Sequence, residues 1–414
     1  MDSNQENPVV VIGGGIIGVC CAYYLSLAGK SVVIIEKGDL GSGCSYGNVG
    51  LLALSHCVPL ATPGVLKKAM KWILRPDSPF YIQPRFDPAL AAWLLRFAAA
   101  CNVQRMRYST SRLCELAQAS IALYEQLANA DRLEFGYEHS GLLGLFRTQE
   151  GLKEGRAHAA LLNEFGVEAR EVPYSELSAI EPAVRPGLAG AVYFPGDRSL
   201  IPPRFIAALS LKAVQQGVRI HTQTEVTGVS CSGDRAVAVQ TSRGEFQAST
   251  VVIAAGAWSS QMARFAGINL PLQAGKGYSV AVARADWAVP LRPTLLGEAH
   301  VLLTPMGDTT RIGGTMEMAG MDLSINRRRS AAIFGSVHDY LVGAEDLNPG
   351  PVWSGLRPCT PDSLPIVGWS SKLRNVMLAT GHGMLGVTLG PITGKIVSEH
   401  VCKGNPEAAR PVAV

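Results

Sequence analysis

The first apolar run, Val9-Val10-Val11-Ile12, is short and β-branched, which is the pattern of a parallel strand buried on both faces. Three glycines follow at once, and residues 16–28 then carry apolar and small side chains at helical spacing, closed by Gly29 in the position of a C-cap. Residues 31–35 repeat the β-branched pattern, so the chain opens as strand, turn, helix, strand. Farther on, a long helical pattern covers residues 90–130, and residues 141–146 and 190–194 predict strands of a mixed sheet. Residues 218–229 and 236–249 predict short alternating strands, residues 251–258 a strand running into a small-residue turn, and residues 301–304 with 310–315 a hairpin. No internal repeat and no flexible linker interrupts this order.

The composition agrees with an enzyme-like globular chain. Of 414 residues, 47% are hydrophobic and 17% charged, with 44 glycines and 25 prolines, which predicts two or three lobes and excludes a disordered chain. A net charge of +4 is small at this length, and its one block of like charges, Arg327-Arg328-Arg329, reads as a solvated helix face; nucleic acid is not an expected partner. The nine cysteines form no CxxC pair, so neither a zinc site nor any other metal centre is expected, and reduced thiols point to a cytoplasmic setting. The apolar start lacks a basic flank and is broken by glycines, unlike a signal peptide, and no run reaches the roughly 20 apolar residues of a membrane span. Residues 65–75 mix Val65, Leu66, Trp72, Ile73 and Leu74 with Lys67, Lys68, Lys71 and Arg75. That mixture fits either a packed helix with a solvated basic side or a peripheral contact with the inner face of the cytoplasmic membrane.

The opening unit carries a dinucleotide fingerprint. Gly13 makes the tight turn, Gly15 lets backbone approach a pyrophosphate, and Gly18 permits close helix-to-strand packing. The N–H groups at Ile16 and Ile17 begin the helix, whose positive end favours phosphate. Glu36, followed by Lys37, ends the second strand eighteen residues after Gly18, where a carboxylate can bond ribose hydroxyls. The fingerprint alone does not separate FAD from NAD, because both present an ADP half.

Three further segments resolve that choice by resemblance. Gly41-Ser42-Gly43-Cys44-Ser45-Tyr46-Gly47-Asn48-Val49-Gly50 is a second glycine loop with Ser45 and Asn48 as donors, leading into Leu51. Gly355-Leu356-Arg357-Pro358-Cys359-Thr360-Pro361-Asp362 precedes Thr380-Gly381-His382-Gly383-Met384-Leu385-Gly386-Val387-Thr388. These resemble the flavin-proximal loop and the paired C-terminal signatures of the D-amino-acid oxidase superfamily. Lys276-Gly277-Tyr278-Ser279 and the segment from Arg311 to Glu317 are similar to its D-amino-acid dehydrogenase branch, with glycine oxidase a near relative.

The resemblance covers nearly the whole chain and implies an α/β (α+β overall) protein with a Rossmann-like βαβ domain of the glutathione-reductase type and a substrate domain on a mixed or antiparallel sheet. It implies FAD, held non-covalently because no attachment motif accompanies Cys359. It divides the chain into an FAD-binding domain of residues 1–60, 200–265 and 350–414 and a substrate domain of residues 61–199 and 266–349. Val226 falls where the family contacts the adenine end, and Ala255, Gly256 and Trp258 fall in the small-residue turn that rejoins the FAD domain, although Trp258 suits a core equally well. Gly381, His382, Gly383, Met384, Leu385, Gly386 and Thr388 fall at the flavin, with backbone N–H groups toward the atoms that gain negative charge. The implied reaction is oxidation of a D-amino acid to a 2-oxo acid, with a quinone or other electron-transfer acceptor in place of oxygen. Arg357 is the first candidate for the substrate carboxylate, since a guanidinium makes two parallel bonds to it. Tyr278 is a candidate for a further hydroxyl or for sheet support, and His382 for cofactor contact or amine deprotonation. His56, His300 and Arg311 are weaker candidates. Oxidation of glycine, sarcosine, D-proline or hydroxy-D-proline, by an oxidase or a dehydrogenase, and an FAD-carrying subunit of a larger amine dehydrogenase, remain open alternatives.

Overall fold

The computed structural model describes residues 7–66, 80–284, 287, 290–344 and 350–404. Its first strand, β1 (Val9–Ile12), lies inside a six-stranded sheet beside β2 (Val32–Ile35), with helix α1 (Ile16–Leu27) between them in sequence. The order is Ile366–Trp369, Val376–Thr380, Thr250–Ile253, β1, β2, Arg219–His221, parallel except for the antiparallel outer strand Ile366–Trp369. Both faces of β1 are covered, as its uninterrupted β-branched run requires. Val9 and Val11 pack with α1 and the helix Gly386–Lys403, while Val10 and Ile12 pack with Val226, Val239 and Met262 on the other face. Each such side chain withdrawn from water contributes about 1.5–3 kcal/mol.

The ends of α1 follow local chemistry. Gly29 has φ +77°, its N–H bonds to Ser26 O at 2.9 Å, and Lys30 N–H bonds to Leu25 O at 3.1 Å. This is the Schellman stop for which a glycine is favoured. Against α1, Gly394 of the C-terminal helix has no room for a side chain, since a Cβ there would lie 2.5 Å from Cys20 O.

A nine-stranded mixed sheet forms the second layer, running from Trp353–Cys359 through Gln273–Ala283, Thr309–Met318, Val301–Met306, Thr294–Leu296 and Leu142–Phe146 to Gly190–Phe194 and Arg170–Val172. Phe80–Ile82 joins beside residues 316–318. The period-2 alternation of Gln273–Ala283 decides which face does what. Tyr278, Val280 and Val282 enter a core with Ile312, Ile333 and Val337, whereas Gly275, Gly277 and Ser279 face the other way, Gly275 toward Met316 and Cys359, Gly277 toward the Arg357 guanidinium and Ser279 toward the glycine loop. Ser279 Oγ donates to Gly47 O at 2.8 Å, tying sheet to loop.

Three expectations change in detail. The helical pattern of residues 90–130 is two helices, Pro88–Ala100 and Val103–Asn129, because Asn102 caps the second by accepting Arg105 N–H at 2.9 Å. Residues 236–249 form two strands, Arg235–Thr241 and Gly244–Gln247, rather than one. The basic run on Arg327–Val337 is not uniformly solvated: Arg329 is buried, its guanidinium 4.3 Å from the Tyr81 ring centre. Most of residues 65–75 lie outside the described residues; Val65 and Leu66 are described, and Val65 borders a cavity lined also by Trp93, Phe97 and Arg357.

Candidate active site

At the C-terminal edge of the parallel sheet, β1, β2 and α1 open into a cavity of about 370 Å³. Gly13, Gly15, Ile16 and Ile17 line its floor, with Glu36 and Lys37 to one side. Gly13 and Gly18 are sterically required by the protein itself. Gly13 has φ +110°, and a Cβ there would lie 2.6 Å from Ala254 O. On Gly18 it would lie 1.9 Å from Gly13 O, so Gly18 shapes the turn from behind without lining the cavity. At Gly15 the nearest atom to a Cβ is Ser45 Oγ at 3.5 Å, so that Cβ would project into the space of a phosphate. Gly15 offers α1 no side-chain cap, and the first-turn N–H groups therefore face an anion site with the dipole behind them. Ser45 Oγ accepts Ile16 N–H at 3.1 Å, which leaves its own proton for a phosphate oxygen.

Glu36 has a task beyond the expected ribose contact. Its Oε2 accepts Gly14 N–H at 2.7 Å and Oε1 accepts Gly38 N–H at 2.8 Å, bracing the turn while lone pairs remain for hydroxyl donors. At the same end, Lys37 Nζ sits 4.8 Å from the Trp258 ring centre, with Val226, Ala255 and Gly256 alongside. An uncapped helix end, a glycine cradle that a Cβ would fill and a carboxylate at the second strand fit the ADP half of FAD.

A second cavity of about 310 Å³ continues from the first, sharing Cys44, Asn48 and Gly383 as walls. Leu51, Met384 and Leu385 border it, and His382, Gly383 and Gly386 border the first. Gly50, Gly381 and Thr388 border neither. Gly50 is a backbone crossing, where a Cβ would lie 2.1 Å from Leu200 O, and its N–H is held by Asn48 Oδ1 at 2.8 Å. Gly381 has φ +81° and turns the C-terminal loop. Thr388 departs from its expected cofactor contact: its Oγ1 accepts Ala53 N–H at 3.0 Å, clamping the two loops together.

The three leading chemical candidates separate. Arg357 enters the second cavity over Gly277, where a Cβ would meet Nη1 at 2.2 Å, and Nη1 donates to Thr315 O at 2.8 Å. No carboxylate pairs with Arg357 among the described residues. Tyr278 borders the same cavity, but strand alternation turns its hydroxyl away from Arg357. That hydroxyl donates to Glu317 Oε2 at 2.7 Å and accepts Asn326 N–H at 3.2 Å, in a group that includes Lys276 and Asp322. Tyr278 therefore supports the sheet and is not placed to hold a carboxylate. His382 lies 2.9 Å through Nε2 from Thr393 Oγ1, and burial holds its pKa down at about 3. With Nε2 turned to Thr393 and the ring outside the lining of the second cavity, His382 is not placed to take a proton from an amine there. Arg311 is likewise structural, its Nη1 donating to Tyr46 O in the glycine loop.

Other site residues carried no signal in the sequence. Thr315 has φ +69°, an outlier for a β-branched residue, and lies at a register shift between the strands Gln273–Ala283 and Thr309–Met318. That bulge presents the carbonyl that holds Arg357. Trp93 and Phe97, from Pro88–Ala100, wall the cavity, and Trp93 Nε1 donates to Cys359 O at 3.0 Å. Their helical spacing looks like ordinary core packing until the fold brings Cys359 alongside.

A parallel sheet with a nucleotide cradle, opening onto a cavity entered by a guanidinium that pairs with no carboxylate among the described residues, fits a dinucleotide-dependent oxidoreductase. The chain belongs to the FAD dependent oxidoreductase family also described as DAO, which it matches over residues 8–400. Among similar proteins are the D-amino acid dehydrogenases of Paramagnetospirillum magneticum, 35% identical over 97% of this chain and 96% of that protein, and of Bradyrhizobium diazoefficiens, 33% identical over 96% of each. The fold is shared with glycine oxidase from Bacillus cereus, at TM-score 0.77 and 24% identity over 98% of this chain and 99% of that one. It is shared also with L-proline dehydrogenase from P. horikoshii, at TM-score 0.77 and 22% identity over 98% and 95%. The expected family, fold class and flavin cofactor are thus borne out. No helix among the described residues is long and apolar enough to cross a membrane.

Proposed function

We propose that the chain is a dehydrogenase that oxidises D-amino acids to 2-oxo acids and ammonia. The observation that carries this reading is Arg357, a guanidinium in a largely apolar cavity beside the flavin loops, with no carboxylate partner among the described residues. An amino-acid carboxylate supplies that partner. Bound FAD supplies the acceptor for the hydride that leaves Cα. The chain's own part is to hold the carboxylate in the Arg357 fork, to fix Cα against the loops of Asn48 and Gly383, and to keep water out. Leu60, Phe80, Trp93, Phe97 and Met318 wall the space beyond, and among the described residues no acidic side chain lines it, which favours D-amino acids with neutral or apolar side chains.

Gly13, Gly15, Ser45 and the α1 N-terminus hold the pyrophosphate in this account, with Glu36 on the ribose and Val226, Lys37 and Trp258 around the adenine end. The corresponding division assigns residues 1–60, 200–265 and 350–414 to FAD and residues 61–199 and 266–349 to substrate. Burial pushes the Cys359 thiol up to about 12, which leaves a poor nucleophile and supports non-covalent retention.

The acceptor in this reading is a quinone reached at a membrane surface. The helix Pro88–Ala100 supports it, because its inner face walls the cavity while its surroundings expose Phe86 (98%) and Leu95 (73%). Dye-linked oxidation by the purified chain across a panel of D-amino acids, glycine, sarcosine and D-proline tests the substrate. Flotation with anionic liposomes tests the surface. Turnover of D-amino acids with negligible peroxide is expected; strong peroxide release points to an oxidase, and an inert single chain to a subunit of a larger enzyme.

A further inference from the structure

One polar chain leads from the second cavity into the interior. His56 lines the cavity just after Leu51–Leu52. Its Nδ1 lies 2.8 Å from Ser55 Oγ, and Ser55 Oγ lies 2.5 Å from Asp197 Oδ2. Ser55 and Asp197 are buried. Asp197 Oδ1 also accepts Leu54 N–H at 2.9 Å and Ser55 N–H at 3.0 Å, and His158 Nε2 lies 2.8 Å from Ser55 O. These bonds fix the three groups in line.

Hydrogen-bond accounting gives the line two states. An ionised Asp197 only accepts, so Ser55 donates to it and must itself accept from His56 Nδ1–H. Nε2 then keeps its lone pair, and it has no hydrogen-bond partner among the described residues. A protonated Asp197 reverses every bond: it donates to Ser55, Ser55 donates to Nδ1, and Nε2 carries the proton. The states differ by one proton, entered at the cavity and stored inside.

We propose that His56, Ser55 and Asp197 form a proton relay that takes the ammonium proton of the bound amino acid at His56 Nε2 and stores it on Asp197. The ammonium N–H bond breaks as Nε2–H forms, Nδ1–H passes to Ser55 Oγ, and the Ser55 proton passes to Oδ2. No electrons move in this step. It leaves the neutral amine whose lone pair must assist hydride loss from Cα, in a cavity where none of the described lining residues is a carboxylate that could accept the proton. The relay rests on the amino-acid reading of that cavity.

The surroundings suit storage at the far end. Burial pushes Asp197 up to about 7, against its hydrogen bonds from Ser55 and Leu54 and the nearby Arg198 charge. Burial, with His158 and His300 facing it, holds His56 down at about 4, so the ring passes a proton without retaining it. The Cys57 thiol beside Asp197 is itself raised, chiefly by its bond with Cys114, and stays protonated.

The test is infrared difference spectroscopy of the FAD-loaded protein on binding 2-methylalanine, which has an ammonium and a carboxylate but no Cα hydrogen to lose. A new protonated-carboxyl band is expected in the wild type and not in His56→Gln or Asp197→Asn. In parallel, kcat/KM of His56→Gln should fall about 100-fold near neutral pH and approach the wild type above the substrate ammonium pKa, where the amine arrives neutral. Should Asp197→Asn fail to fold, His56→Gln, which fronts the cavity, still decides. Binding without the band, or a deficit equal at every pH, overturns the relay alone. No perturbation of flavin absorbance by 2-methylalanine, together with an inert D-amino-acid panel, overturns the amino-acid reading and the relay with it.

Discussion

Substituting Gly277 by alanine tests the carboxylate site without removing its charge. The added methyl would lie 2.2 Å from Arg357 Nη1, 2.4 Å from Nη2 and 2.5 Å from Cζ. Carbon needs about 3.5 Å, so the guanidinium must shift by roughly 1 Å. The obstructing atoms are the far end of a flexible side chain, so the guanidinium yields and the fold survives. That shift breaks the 2.8 Å bond to Thr315 O and rotates the fork away from its ligand. A hydrogen bond to a charged group contributes about 1.5–3 kcal/mol. Loss of one therefore lowers kcat/KM about 10- to 100-fold, at roughly 1.4 kcal/mol per factor of ten. Arg357→Lys should fall in the same range through a raised KM, because an ammonium keeps the charge but not the paired donors. Anaerobic dye reduction with a D-amino acid gives both constants, and a thermal midpoint within a few degrees of wild type shows that the fold is intact. Unchanged apparent affinity in both variants would refute the assignment of Arg357.

Three other outcomes follow from the same geometry. Gly18→Ala should purify with little flavin, because its Cβ would meet backbone at 1.9 Å and nothing there can yield; a full flavin-to-protein absorbance ratio contradicts this. His382, held down at about 3 when folded and near 6.5 when unfolded, favours unfolding as pH falls from about 6.5 to 3, since only the unfolded state takes up the proton. His382→Gln should accordingly flatten the fall in urea midpoint on that acid side, and a slope identical to wild type counts against a neutral buried ring. Thr315→Gly removes left-handed strain of order 1 kcal/mol at φ +69° and incurs a similar glycine entropy cost, so stability should change by less than about 1 kcal/mol. Destabilisation beyond about 2 kcal/mol would mean that the Thr315 side chain, rather than its carbonyl, supports the site.

The nucleotide half was legible because local chemistry encodes it. β1, the glycine turn, α1 with its Gly29 stop, and Glu36 lie within thirty residues, and each residue type is dictated by its own backbone task. The second half was legible mainly by resemblance. Arg357 could be singled out, but the bulge at Thr315 that aims it depends on the pairing of two strands. Tyr278 misled because a hydroxyl near an active-site motif reads the same on either face of a strand; only the register assigns it to Glu317. Thr388 misled similarly, since its side chain clamps Ala53 instead of lining a cavity, while His382 borders the nucleotide cavity but turns its Nε2 to Thr393. Asp197 was invisible, as Gly196-Asp197 after a strand resembles an ordinary turn, and its partner Ser55 is 142 residues away.

The central claim is that this single chain, with FAD bound, removes a hydride from a D-amino acid held by Arg357. Anaerobic mixing of the purified flavoprotein with D- and L-enantiomers of one apolar amino acid tests it most directly, by flavin absorbance. The account predicts rapid bleaching by the D-enantiomer, slowed by Arg357→Lys, and none by the L-enantiomer. Bleaching by the L-enantiomer alone, or none with any D-amino acid, would contradict it.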